Sequence, residues 1–146
     1  MKARCDESTL RGMKDVFITG TFKNDWNRQF NEALASFLSN QGFSYYLPQQ
    51  HTDQSGNRKK TFEENMAGIR SCKSLVAIGA KTQTANWGLE IGYAFSLNKP
   101  VIILTDSEHP VALMPEGAAS EIVISNLENL SDFGPNLVSI LSRVIG

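Results

Sequence analysis

The chain has 146 residues, 41% of them apolar and 20% charged, with a formal net charge of -1. That composition describes one globular domain with a real core rather than a disordered chain, and without a net positive charge no basic footprint suggests binding to nucleic-acid polymers. No apolar run approaches the ~18 residues of a membrane span, so no membrane role is expected.

Residues 1–13 are polar and aperiodic and read as a flexible leader, with the domain occupying 14–146. No apolar signal-peptide core is visible, and only Cys5 and Cys72 are present, Cys72 at the end of a helical pattern. A disulfide framework is therefore not expected, and a cytoplasmic setting fits.

Residues 15–20 are β-rich and end at Gly20, which predicts a first strand feeding a turn. Asn24 or Asp25 can cap the next helix, whose inner face would carry Trp26, Phe30, Ala33, Leu34, Phe37 and Leu38. Gly42 would end it. A second strand is expected over 43–47, closed by Pro48, and then a polar loop over 49–60, long enough to suspect function. Thr61 with Glu64 forms a capping-box pattern, and the helix behind it would turn Phe62, Met66 and Ile69 inward. A buried third strand spans 74–80, and a fourth spans 101–105 after Asn98, Lys99 and Pro100 stop the helix between them. A second long loop covers 106–119, a short fifth strand 121–124, and a closing helix begins near Pro135 with Leu137, Ile140, Leu141 and Val144 inward. Strands alternating with helices predict an α/β fold: a three-layer, flavodoxin-like, doubly wound parallel sheet of five strands, Rossmann-like in its layering. Ligands of such sheets gather beyond the carboxyl ends of the strands, near the switch point.

The helix over 87–97 is the unusual stretch. Trp87, Ile91, Ala94 and Phe95 recur at helical spacing, and one carboxylate, Glu90, sits among apolar or small neighbours. A carboxylate in such company must be paired or must line a cavity, because burying an isolated charge is costly. Gly88 and Gly92 flank it and lower helix propensity by roughly 1 kcal/mol each, which suggests close approach by a sheet or a ligand. The predicted rim would bring Glu90 together with Gly20, Thr21, Phe22, Lys23 and the loop from Gln49.

Other candidates carry two readings. Lys23 could meet a phosphate at the helix start or simply be a surface lysine; Gln49 and Gln50 could read a base edge or serve the loop. Trp26 reads as core. Tyr93, one turn after Glu90, would hold the carboxylate or pack. His51 and His109 stand in different loops without partners at ligand spacing, so no metal is expected, and no cofactor is implied.

The run Phe17–Ile18–Thr19–Gly20–Thr21–Phe22 resembles the opening strand and turn of nucleoside 2-deoxyribosyltransferase-like proteins. Glu90–Ile91–Gly92–Tyr93–Ala94, followed by Leu97–Asn98–Lys99–Pro100–Val101–Ile102, is similar to their more specific second signature. The resemblance implies that Glu90 is a nucleophile attacking C1′ of a (deoxy)ribosyl group on a nucleoside or nucleoside 5′-monophosphate. It further implies Phe17, Gly20, Thr21, Phe22, Lys23 and Gln49 as substrate-binding residues, with Trp87, Gly88 and Tyr93 on the helix. Asn126 would reach a neighbouring site, or form a turn, in a homodimer or higher homo-oligomer. Three positions depart from the pattern: 84–89 holds no aspartate, Lys73 stands where an aspartate is usual, and Phe17 replaces a tyrosine. Trp87, three residues before Glu90, also resembles the W-x-x-E of Toll/interleukin-receptor-type NAD glycohydrolases, whose cationic leaving group needs no general acid. An NAD glycohydrolase is the alternative enzyme, and a non-catalytic nucleotide-binding module the alternative to both.

Overall fold

The computed structural model describes residues 12–146. The leader expected over 1–13 therefore lies almost wholly outside the described residues. In chain order the elements are β1 (Lys14–Thr19), α1 (Asp25–Asn40), β2 (Tyr45–Tyr46), α2 (Pro48–His51), α3 (Arg58–Arg70), β3 (Cys72–Ile78), α4 (Ala85–Ser96), β4 (Val101–Thr105), α5 (Leu113–Ala118), β5 (Glu121–Ile124) and α6 (Leu130–Ile145). The five strands form one sheet in the order β2-β1-β3-β4-β5, every pair parallel. This is the expected flavodoxin-like α/β sheet, and its switch point lies between β1 and β3.

Strand residues point alternately to opposite faces, so each interior strand feeds two cores. Val16 and Ile18 join Val76, Ile78, Ile102 and Leu104 under α1 and α6, where Leu34, Leu38, Phe133, Leu137 and Leu141 are fully buried. Phe17 joins Leu75, Ala77, Val101 and Ile103 on the other face, under Ile69 of α3 and Trp87, Ile91 and Ala94 of α4. The same alternation aims Thr19, the last residue of β1, at the α3–α4 side.

The helix starts follow local chemistry. The Asn24 side chain accepts from the Asn27 N–H at 2.8 Å, and the Thr84 hydroxyl oxygen accepts from the Trp87 N–H at 3.2 Å. Gly42, at φ +90°, ends α1 as expected.

Several local expectations change. The second strand shrinks to two residues, because Phe43 N–H closes the end of α1 on the Leu38 carbonyl and Pro48 opens the short α2. Helix α3 starts one turn earlier than the capping box suggested: Asn57 caps it by accepting from Lys60 N–H, and Glu64 instead accepts from Asp53 N–H. Phe62 is 54% exposed rather than inward, at the lip of a cavity between α3 and its neighbouring helix α4. Ala33 and Phe95 are likewise exposed rather than inward, and Trp26 is half-buried, stacked on Phe30. Cys72 opens β3 and is buried. The second long loop contains α5, and α6 begins at Leu130 under an Asn129 cap. Pro135 thus lies inside α6, where the buried neighbours Phe133 and Gly134 hold the turn against the core.

The glycines divide by what surrounds them. A methyl on Gly68 of α3 would lie 2.9 Å from the Phe17 ring and 3.0 Å from the Tyr46 ring, whereas nothing stands within 4 Å of one on Gly88 or Gly92. The sheet is therefore not what keeps the two α4 glycines small. Gly68→Ala should lower stability by about 1–3 kcal/mol through overpacking. Gly92→Ala should raise it by about 0.5–1 kcal/mol. Denaturant midpoints of the two variants check both signs.

Candidate active site

Glu90 lies in the second turn of α4, on the same side of the helix as Trp87, Ile91 and Ala94, which pack on the sheet. Rotating Glu90 to solvent would lift Trp87, 3% exposed, and Ile91, 1% exposed, out of the core. The helix therefore carries its carboxylate inward. One Glu90 oxygen, Oε2, is buried without a hydrogen-bond partner. Burial pushes the carboxyl from its ordinary 4.5 up to about 7, and the Thr19 side chain opposes that rise.

Glu90 opens onto a cavity of about 300 Å³ between α3 and α4. One wall is Asn86, Leu89 and Glu90; the other is Gly56, Arg58, Thr61, Phe62, Asn65 and Met66. Behind that second wall, the Tyr46 hydroxyl lies 2.7 Å from the Thr52 hydroxyl, which donates to Asn65 Oδ1 at 2.7 Å. Tyr46 also stacks on Phe17, with centroids 5.2 Å apart, so a phenol stands beside the position where the resemblance anticipates a tyrosine. Among the described residues Glu90 is the one carboxylate lining this cavity.

The candidates expected at the rim are not gathered around Glu90. Gly20 packs under Asn31, whose amide donates to the Gly20 and Thr21 carbonyls and to Gln49 Oε1. The Gln49 amide nitrogen in turn donates to the Arg28 carbonyl and to Glu32, so this side chain ties α2 to α1. The Phe22 carbonyl accepts from Arg28, and Phe22 and Lys23 are exposed. Phe17 is fully buried beneath Gly68. Trp87 is core, its indole N–H buried without a partner, and Gly88 contributes only backbone to α4. The Tyr93 hydroxyl accepts from Arg70 at 3.0 Å rather than holding Glu90. Asn126 accepts from Glu128 N–H and borders a separate hollow of about 550 Å³ with Trp26, Lys81 and Asp106.

Arg58, Asn65 and Asn86 were not singled out by the sequence, and Phe62 only as a core residue. The signal that pointed nearest was the long polar loop after the second strand, whose far end, Gly56 to Arg58, borders the cavity. Among the described residues no cluster of three or more His, Cys, Asp or Glu side chains stands at metal-binding distance. No helix among them is long and apolar enough to cross a membrane.

An all-parallel α/β sheet with a buried carboxylate facing a cleft at one of its faces is the arrangement of a small-molecule site beside a switch point. A model of nucleoside 2-deoxyribosyltransferase-like proteins matches residues 13–108, and the chain belongs to that family. Solved structures agree in fold. The 2-deoxyribosyltransferase of Bacillus psychrosaccharolyticus superposes with a TM-score of 0.70 at 14% identity, over 85% of this chain and 95% of that one. The CMP N-glycosidase of Clostridium botulinum gives 0.63 at 17% identity, over 85% and 98%. The TIR domains of the Roq1 resistosome give 0.54 at 14% identity, over 90% and 83%. Among curated proteins no relative matches at the level of sequence.

The raised Glu90 pKa has a consequence for stability. Between pH 4.5 and about 7 the folded protein holds a proton that the unfolded chain has released. Stability contributed by this group is complete below pH 4.5 and is lost as pH rises through 7, in all about 3 kcal/mol. Glu90→Gln should therefore be more stable than the parent at pH 8, by about 1–3 kcal/mol, and nearly equal to it at pH 4.5. Urea unfolding at the two pH values measures the difference.

Proposed function

We propose that this protein cleaves or transfers the N-glycosidic bond of a (deoxy)nucleoside or nucleoside 5′-monophosphate, with Glu90 as nucleophile. The observation that carries the reading is the unpartnered Glu90 oxygen, buried and lining a cavity. Breaking a C1′–N bond builds positive charge on the sugar, and a carboxylate beside C1′ stabilises that charge and then captures it. One Glu90 oxygen bonds to C1′, the C1′–N pair leaves with the base, and the base nitrogen takes a proton from solvent, which regains one when water later attacks C1′. Water attacking C1′ then frees the sugar and restores the carboxylate, or a second base takes the water's place. Poor solvation raises the energy of the ionised carboxylate and so sharpens its attack. Family membership supports this chemistry, and the flanking exposed side chains Leu89, Phe95, Leu113 and Met114 support a homo-oligomer.

One observation favours a second reading. Among the described residues Glu90 has no second carboxylate in its cavity to protonate a leaving base. A cationic leaving group needs none, so NAD with its nicotinamide is the alternative substrate, and the TIR-like fold is compatible with it.

Chromatography for free base after incubation with nucleosides, nucleoside 5′-monophosphates and NAD tests both. Base release should fall at least about a thousandfold in Glu90→Gln. In the parent, kcat/KM should rise with pH to a plateau above about 7, as the free carboxyl ionises. Undiminished turnover by Glu90→Gln would end the nucleophile reading, and nicotinamide as the sole product would select the second.

A further inference from the structure

The cavity beside Glu90 has a single basic side chain among the described residues, Arg58. Arg58 is the first residue of α3, followed by Lys59 and Lys60, and no acidic residue stands in that first turn. Cations there oppose the positive end of the helix dipole, so the arrangement is unfavourable unless each charge is compensated. Lys59 has Glu63 one turn on, at 3.9 Å. Lys60 has Asp53 at 2.7 Å and Glu64 at 4.0 Å, and its ammonium holds the Asp53 carboxyl down to about 2. The residue one turn after Arg58 is Phe62, and no carboxylate among the described residues pairs with Arg58. Nor does its charge offset that of Glu90, whose proton affinity is set by burial and Thr19 alone. The cavity thus offers two separate, unspent charges: a carboxylate on the α4 wall and a guanidinium at the start of α3. Gly56, at φ +90°, brings bare backbone to the same end of the cavity. Lys23, the lysine singled out from the sequence, does not line it.

We propose that Arg58 is the specificity residue of this site, its guanidinium taking a phosphate monoester carried by the sugar whose C1′ faces Glu90. The substrate class is then a nucleoside monophosphate rather than a free nucleoside. A planar guanidinium offers phosphate two parallel N–H donors, and an unpaired one at a cavity wall has no competing partner to give up. The proposal rests on the Glu90 reading for the placement of the sugar, and its test separates the two.

Base release is measured for a nucleoside and for its 5′- and 3′-monophosphates, with the parent, Arg58→Ala and Arg58→Lys. The parent should prefer a monophosphate, the preferred isomer showing which ester reaches Arg58. In Arg58→Ala the ratio of kcat/KM for that monophosphate to kcat/KM for the nucleoside should fall about ten- to a hundredfold, mainly through KM, and Arg58→Lys should recover part of it. An unchanged ratio overturns the proposal while leaving the Glu90 reading intact. If the parent releases no base from any substrate, the Glu90 reading falls and Arg58 is judged by binding. Nucleoside monophosphate should then raise the melting temperature of the parent and of Glu90→Gln but not of Arg58→Ala; the same shift in all three, or in none, overturns it.

Discussion

One constraint shapes this protein: α4 cannot bury its apolar side without burying Glu90. Glu90 lies at the edge of the stripe that Trp87, Ile91 and Ala94 bury, and Trp87 and Ile91 each contribute about 1.5–3 kcal/mol by leaving water. Together they match or exceed the ~3 kcal/mol that ionising Glu90 costs. The carboxylate is therefore carried inward by its neighbours, and its bond to the Thr19 side chain offsets only part of the cost. That explains how an oxygen stays buried and unpartnered without unfolding the helix. It also explains why the site sits between α3 and α4 rather than over the turn after β1.

The sheet supplies the rest of the geometry through simple alternation. Phe17 and Thr19 point to the face opposite Val16 and Ile18, so the strand that fills one core with aliphatic side chains brings an aromatic ring and a hydroxyl to the other. Gly68 lets α3 close onto the stacked Phe17 and Tyr46 rings, and this sets the second wall of the cavity opposite Glu90. The α1 side, by contrast, is tied down by amides: Asn31 and Gln49 bind backbone and each other and hold the turn after β1 shut.

The departures from the family pattern take physical form in the structure. Lys73 pairs with Asp15 at 3.3 Å, at the amino ends of β3 and β1, whereas Glu90 meets Thr19 at the carboxyl end of β1. Thr84, in the run that lacks an aspartate, serves as the cap of α4. What remains at the site is one carboxylate facing a wall of amides, a hydroxyl, an aromatic lip and a guanidinium. Such a wall suits a polar, anionic ligand, and among its described residues Glu90 is the one carboxylate.

The order of strands and helices, the two-sided burial of the inner strands and the unusual standing of Glu90 were legible in the sequence, because they rest on periodicity and on the cost of isolating a charge. The resemblance to the family was carried by the same contiguous runs. The residues opposite Glu90 were not legible. Helix α3 begins one turn earlier than the Thr61 pattern predicts, capped by Asn57, which puts Arg58 on the helix one turn before Phe62, and both line the cavity. The fates of Gln49 and Tyr93 were equally hidden, since Arg28, Glu32 and Arg70 claim them from other elements. The sequence by itself determined which side chain would be costly to bury; only tertiary packing decided what would face it, because that depends on helix phase and on contacts between segments far apart in the chain.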